Sequence, residues 1–268
     1  ALKFPVDGAV SHHYLHAIDY LVYAYLQRGE DENADIAAEK AIEKDRYQRS
    51  LISAFHLSVI PARLAMERGE WEKAAALEPR SPDYLPWDNF PWAEGLTWYA
   101  RGMGATHTGD VKAAQQAHER LEALYLNAKN AGKADIATYI DINRRVLAGR
   151  IAYVQGNAEK AVELTRSAAE LEETVEKHPV TPGALLPPYE AFGALLMELD
   201  RPAEAFEAYK TSDEIWPGRY NTLLGAARAA EDAGKEQAAH DYYKELLATA
   251  GDSERETLKQ ARQNIAAR

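Results

Sequence analysis

The residue types with most chemical potential lie near the start of the chain, in the segment SHHYLHAIDY. On a helix, His12 and His16 fall one turn apart on one face, and Asp19 follows three residues after His16. Two imidazoles and a carboxylate can ligate zinc or another transition metal. The spacing has no remote partner element with matching ligands, so the alternative is a polar face of a first repeat with no metal. No other constellation points to catalysis. The chain has no nucleophile elbow, no H-E-x-x-H pair and no Walker-type or dinucleotide-binding glycine loop. Cysteine is absent, which removes disulfides, thiolate nucleophiles and thiolate metal sites together. Acidic pairs are so common along the chain that none stands out as a general acid and base. The expectation is therefore a protein that is not an enzyme and needs no cofactor, with a metal-binding or metal-dependent role as the second reading.

The bulk properties narrow the partners. With 31 basic and 42 acidic side chains, the 268-residue chain carries a formal charge of −11. Nucleic-acid phosphates and anionic membrane surfaces both select for cationic faces, so neither is expected. No apolar run approaches the ~18 residues needed to cross a bilayer. A soluble protein of cytoplasm or periplasm is expected. The chain opens on Ala1, with no basic and apolar leader. This reads as a mature or trimmed product.

The elements that would position these side chains are helices. Strand-type alternation is nearly missing. Apolar residues instead recur at i, i+3, i+4 and i+7, interrupted by Gly or Asp breaks. Each break sits between a long apolar helix and a second helix with Ala early in it, as in ARLAMERGEWEKAAAL and LAGRIAYVQGNAEKAVELTRSA. The expected helices are 11–28, 31–45, 47–68, 70–77, 88–106, 109–130, 133–155, 157–177, 185–199, 202–214, 218–233, 235–249 and 252–266, the last a charged cap. Pro61 should kink or restart its helix, because it removes a backbone donor.

These units resemble tetratricopeptide repeats, helix–turn–helix modules of ~34 residues with small side chains where two helices touch. In the fifth unit Gly193 and Ala205 take the small positions, Tyr209 the aromatic one and Pro217 the terminating proline. Ala227, Ala239 and Tyr243 repeat the pattern 34 residues on. Gly102 and Ala114, then Gly149 and Ala161, supply it earlier in the chain. The resemblance implies an all-α fold, a right-handed solenoid of about six hairpins in one domain. The repeats would span 11–45, 47–77, 88–130, 133–177, 185–214 and 218–249, with the cap at 252–266. The His-bearing start is also similar to segments inside long bacterial tetratricopeptide arrays, so the chain is expected to be a fragment of a longer array. The turn glycines at 29, 69, 109 and 156 lie 40, 40 and 47 residues apart, so extra length must sit in the helices or links.

First helices of such repeats line a concave groove, which the resemblance makes a site for a protein or peptide. Its groove positions fall on His16, Asp19, Tyr23, His56, Arg63, Tyr99, Met103, Asn143, Arg150, Tyr153, Glu190, Asn221 and Arg228. Arg63, Arg150 and Arg228 form a ladder able to grip carboxylates or main chain through the guanidinium fork. Two proline-rich links are expected on one edge of the solenoid, LEPRSPDYLPWDNFPW and KHPVTPGALLPPY. The first carries Tyr84, Trp87 and Trp92, either as a partner-docking loop or as rings tucked back onto neighbouring repeats. The register itself is testable: Leu at Ala205 or Ala239 should overpack a helix contact and cost about 1–3 kcal/mol in urea unfolding, whereas melting like the parent would reject it.

Overall fold

The computed structural model describes residues 8–42 and 46–266. Thirteen α-helices occupy the described residues: α1 His12–Gln27, α2 Asp31–Ile42, α3 Leu51–Glu67, α4 Trp71–Ala76, α5 Pro91–His107, α6 Val111–Asn130 and α7 Ala134–Val154. The rest are α8 Ala158–Glu172, α9 Pro188–Glu198, α10 Pro202–Ile215, α11 Tyr220–Asp232, α12 Glu236–Ala250 and α13 Thr257–Ala266. Extended pairing among these residues is limited to one isolated bridge, Val10 with Tyr47. Helix starts follow their local chemistry. Asp110 and Asn157 accept the amides of Ala113 and Lys160 as N-caps, and Pro91, Pro188 and Pro202 open their helices where a backbone donor is not needed. Positive φ closes each hairpin turn. Where the fifth unit lacks the glycine, Asp200 takes the left-handed position at φ 57°.

The helices form an all-α solenoid of tetratricopeptide-like hairpins. First helices α1, α3, α5, α7, α9 and α11 pack one against the next, and second helices cover them outside. Small residues set the spacing. The Tyr209 ring is held between Gly193 of α9 and Gly225 of α11, where an added Cβ would approach it to 2.8 and 2.4 Å. At Gly104 of α5, a Cβ would meet the α4 backbone at Ala75 N and Trp71 O, 2.4 and 2.5 Å away. The hydrophobic interior has two main bodies. One runs from α1 through α8, the other from α9 through α13, and Ala152, Ala161 and Leu195 form a small third cluster.

Three expectations need correction. The helix α3 is continuous through Pro61, held between α1 and α5 on either side. The helix α8 stops at Glu172, so residues 173–187 form a link between the two halves of the core. That link does not stay on an edge with the other proline-rich segment. It turns inward, and Val180 and Leu185 join the first core body. The end of the expected second helix, 43–45, lies outside the described residues.

Because the α4 backbone leaves no room beside Gly104, Gly104→Ala should force the short α4 off α5. We expect a loss of about 1–3 kcal/mol in urea unfolding. Exposed Gly109→Ala is the control that separates this close approach from the strain of a left-handed turn: it has open space around the added Cβ but a φ of 83°.

Candidate functional site

The residues of the first helices converge on the solenoid interior, but most are already engaged there. Asp19 of α1 is fully buried; its Oδ1 accepts from Arg63 Nε at 3.2 Å, and its Oδ2 faces His56 Nδ1 at 3.2 Å. The Arg63 guanidinium, also fully buried, then reaches the inward link. It donates to the Ala184 and Gly183 carbonyls and to Thr181 Oγ1 at 3.2–3.3 Å. Arg219, just before α11, approaches from the opposite side and donates to the same Ala184 carbonyl at 3.3 Å. Its remaining groups bind Glu67 of α3 and Glu190 of α9 at 2.7 and 3.2 Å. The Tyr23 ring lies beneath both guanidinium groups, 5.2 and 5.8 Å from ring centre to Cζ. Gly183 lets the link pass close over that ring, where a Cβ would lie 3.0 Å from it.

Electrostatics agree with the geometry. Burial alone would lower the Arg219 pKa, but the Glu67 and Glu190 carboxylates outweigh it and hold it above the ordinary range. Burial raises Glu190, with Glu67 adding to the shift and Arg219 opposing it. Tyr99 is fully buried with no partner on its hydroxyl, and burial next to the Glu190 and Glu172 charges raises its pKa.

The same contacts close the solenoid on itself. Gln27 at the end of α1 accepts the Tyr220 amide at 2.8 Å. Asn221 donates to the Glu67 carbonyl at 3.0 Å. Arg255, before α13, pairs with Asp31 of α2, and Ser253 donates to the Gly29 carbonyl at 2.9 Å. What remains open is a cavity of about 800 Å³. Its wall includes Arg150, Asn221 and Arg228, together with Met103, Glu190 and the stacked Trp71–His107 rings, 3.8 Å apart. Arg150 lies over Tyr153, pairs with Glu198 and keeps an enclosed Nε without a partner. Arg228 donates to the neutral amide of Gln260 at 2.9 Å. Of the arginine ladder, Arg63 binds the chain's own link, whereas Arg150 and Arg228 line the cavity. Asn143 lines a second cavity, behind the link.

The metal reading of His12, His16 and Asp19 does not match this packing. Asp19 turns inward to Arg63 and His56, His16 meets His56 at 3.3 Å, and the His12 ring lies near Ser50. Among the described residues no three His, Asp or Glu side chains come together in a way that could hold a metal. The aromatic docking loop also needs correction. Trp87 is 3% exposed and donates to the Pro82 carbonyl, while Trp92, inside α5 and 6% exposed, packs on Phe55 and Tyr139. The Tyr84 hydroxyl accepts the Tyr47 amide at 2.6 Å. Trp87 and Trp92 belong to the first core body, and Tyr84 packs against it. Sequence reading missed Arg219, Glu67 and Glu172, because an Arg or Glu in an acidic helical chain gives no sign that its environment is dry.

No family model matches the chain, and no curated protein matches it. Among solved structures it is similar to a kinesin light chain protein of Podosopora anserina with nearly identical TPR-like repeats, at 16% identity over 89% of this chain and 95% of that one, with a TM-score of 0.39. It is similar to Pseudomonas aeruginosa pilF at 18% identity, covering 94% of this chain and 97% of that one, with a TM-score of 0.40. Yeast Tom70 matches at 14% identity over 88% of this chain and 59% of that one, with a TM-score of 0.40. No helix of the described residues is long and apolar enough to cross a membrane.

Removing Arg219 would strand two buried carboxylates and release the link and α3 together. Arg219→Met should cost about 3–5 kcal/mol and expand the particle in small-angle scattering, while Arg228→Met should cost under about 1 kcal/mol. A compact, stable Arg219→Met protein would show that closure has another source.

Proposed function

We propose that this chain is a binding scaffold rather than an enzyme, and that it receives an extended peptide segment of a partner protein in the open part of its interior. One observation carries the reading: the interior already holds a non-helical length of polypeptide, its own Thr181–Ala184 segment, through main-chain carbonyls bound by Arg63 and Arg219. Carbonyl recognition by guanidinium does not depend on the side chains of the bound segment. The 800 Å³ cavity beside the link is lined by further arginines, each only partly engaged by its neighbours. Arg150 pairs with Glu198 but keeps an Nε without a partner, the Arg228 guanidinium donates to a neutral amide, and Trp71 presents an apolar ring. An incoming carboxylate or backbone carbonyl would satisfy both arginines, and apolar side chains would cover Met103 and Leu195 on the wall. The overall charge of −11 favours proteins over nucleic acid as partners.

The test is selection of short random peptides on the full chain, followed by affinity measurement against an Arg150→Glu, Arg228→Glu double variant. Selected peptides should bind the parent with micromolar affinity and lose at least about tenfold on the variant, whose melting temperature stays near that of the parent. Peptides that bind both proteins equally, or no enrichment at all, would reject the interior as the docking site.

A further inference from the structure

Behind the link, on the side away from the large cavity, lies a second cavity of about 420 Å³. It is bounded by α3, α5 and α7, by the link, and by the end of α10. Its walls differ in chemistry from those of the first. Three rings form one side: Trp92 stacks on Tyr139 at 4.8 Å, and His178 meets Trp92 edge-on at 5.1 Å. Trp216 stands in the opposite wall. Four carboxylate side chains also line it, Glu172, Glu173, Glu176 and Glu214, against one cationic residue, Lys177.

Two features indicate what such walls attract. Lys177 Nζ lies 4.1 Å from the centre of the Trp216 ring and donates to the Ile215 carbonyl, so an ammonium group already rests on one aromatic face. Glu172 is 9% exposed; its Oε1 accepts from Trp216 Nε1 at 3.0 Å, while its enclosed Oε2 has no partner. A buried carboxyl oxygen without a donor is costly unless protonated or paired with a cation. Burial raises the Glu172 pKa to about 7, with the Trp216 hydrogen bond and the Arg219 and Lys177 charges opposing the shift and Glu173 adding to it. Tyr99 and Tyr189 also face this carboxyl. Burial lowers the His178 pKa, with the Asp135 charge opposing the shift.

We propose that this aromatic-walled, carboxylate-lined cavity is a binding site for an alkylammonium cation. Ring faces attract cations through their quadrupole, most strongly where water is excluded, and quaternary ammonium groups suit such walls because they need no hydrogen-bond acceptors. The ligand's charge would stabilise ionised Glu172, so the carboxyl gives up its proton to solvent as the cation enters. The sign follows directly. Below pH 7 the entering cation must displace that proton, and above it Glu172 is already ionised, so affinity rises with pH through this range. Lys177 is exposed and competes for the same surroundings, so it acts as a replaceable internal cation.

The experiment is calorimetric titration of the full chain with choline and with 3,3-dimethylbutan-1-ol, which has the same shape without the charge. Choline should bind at least about tenfold more tightly than the neutral alcohol. Its affinity should rise from about pH 6 to about pH 8 in the parent, and Glu172→Gln should both weaken it and flatten that dependence. Lys177→Ala, a surface change that leaves the core intact, should keep or strengthen choline binding. A short lysine-bearing peptide in parallel separates the sources: preference for it makes the cation a partner's side chain, and preference for choline makes it a free amine. Equal binding of alcohol and choline, no binding of either cation at millimolar concentration, or weaker choline binding by Lys177→Ala would each overturn the proposal.

Discussion

The architecture depends on two guanidinium groups that meet at one carbonyl. Arg63 and Arg219 are the largest fully buried side chains, and both donate to Ala184 O from opposite sides of the interior. A charge in that position is tolerable only when its fork is filled. Asp19, Glu67, Glu190 and the link carbonyls fill it nearly completely. Because these partners come from α1, α3, α9 and the link, satisfying the arginines fixes the distance between the first and last repeats.

That constraint turns an open-ended repeat into a closed one. Repeat solenoids normally gain stability from nearest neighbours alone. Here Gln27, Asp31 and Glu67 at the start of the chain bond to Tyr220, Arg255 and Arg219 near its end. These contacts also resolve a weakness of the stack, since the hydrophobic core is nearly divided between α7 and α9. The inward link occupies that division. Polar bonds hold it where few apolar contacts pass from one half to the other.

The link also partitions the interior into two environments. Leu186 lines both cavities, so one strand of chain forms the shared wall. On one side arginines and a stacked Trp–His pair face the larger opening. On the other, aromatic rings and carboxylates line a smaller space, and burial raises the pKa of its Glu172 to about 7. The two sides therefore differ in chemistry, carboxylates lining both and arginines only the larger, although both are assembled from neighbouring turns of the same helices.

Much of the framework was legible in the residues. Helical periodicity and turn glycines located the hairpins, and the small positions at Gly193 and Ala205 marked where helices touch, because these signals are local and depend on neighbours within a few turns. Proline at 61 does not end its helix, which α1 and α5 flank on either side. The aromatic link left docking and packing open: Trp87 and Trp92 are anchors by type, and three-dimensional packing shows both rings buried in the core. Closure was invisible from sequence, because it joins residues such as Glu67 and Arg219 that lie 152 positions apart. The sequence by itself determined the hairpins and their small-residue contacts. Only the tertiary structure decided which arginines are buried against the protein's own chain and which line an open cavity, since burial and pairing are properties of the closed superhelix and of no single repeat.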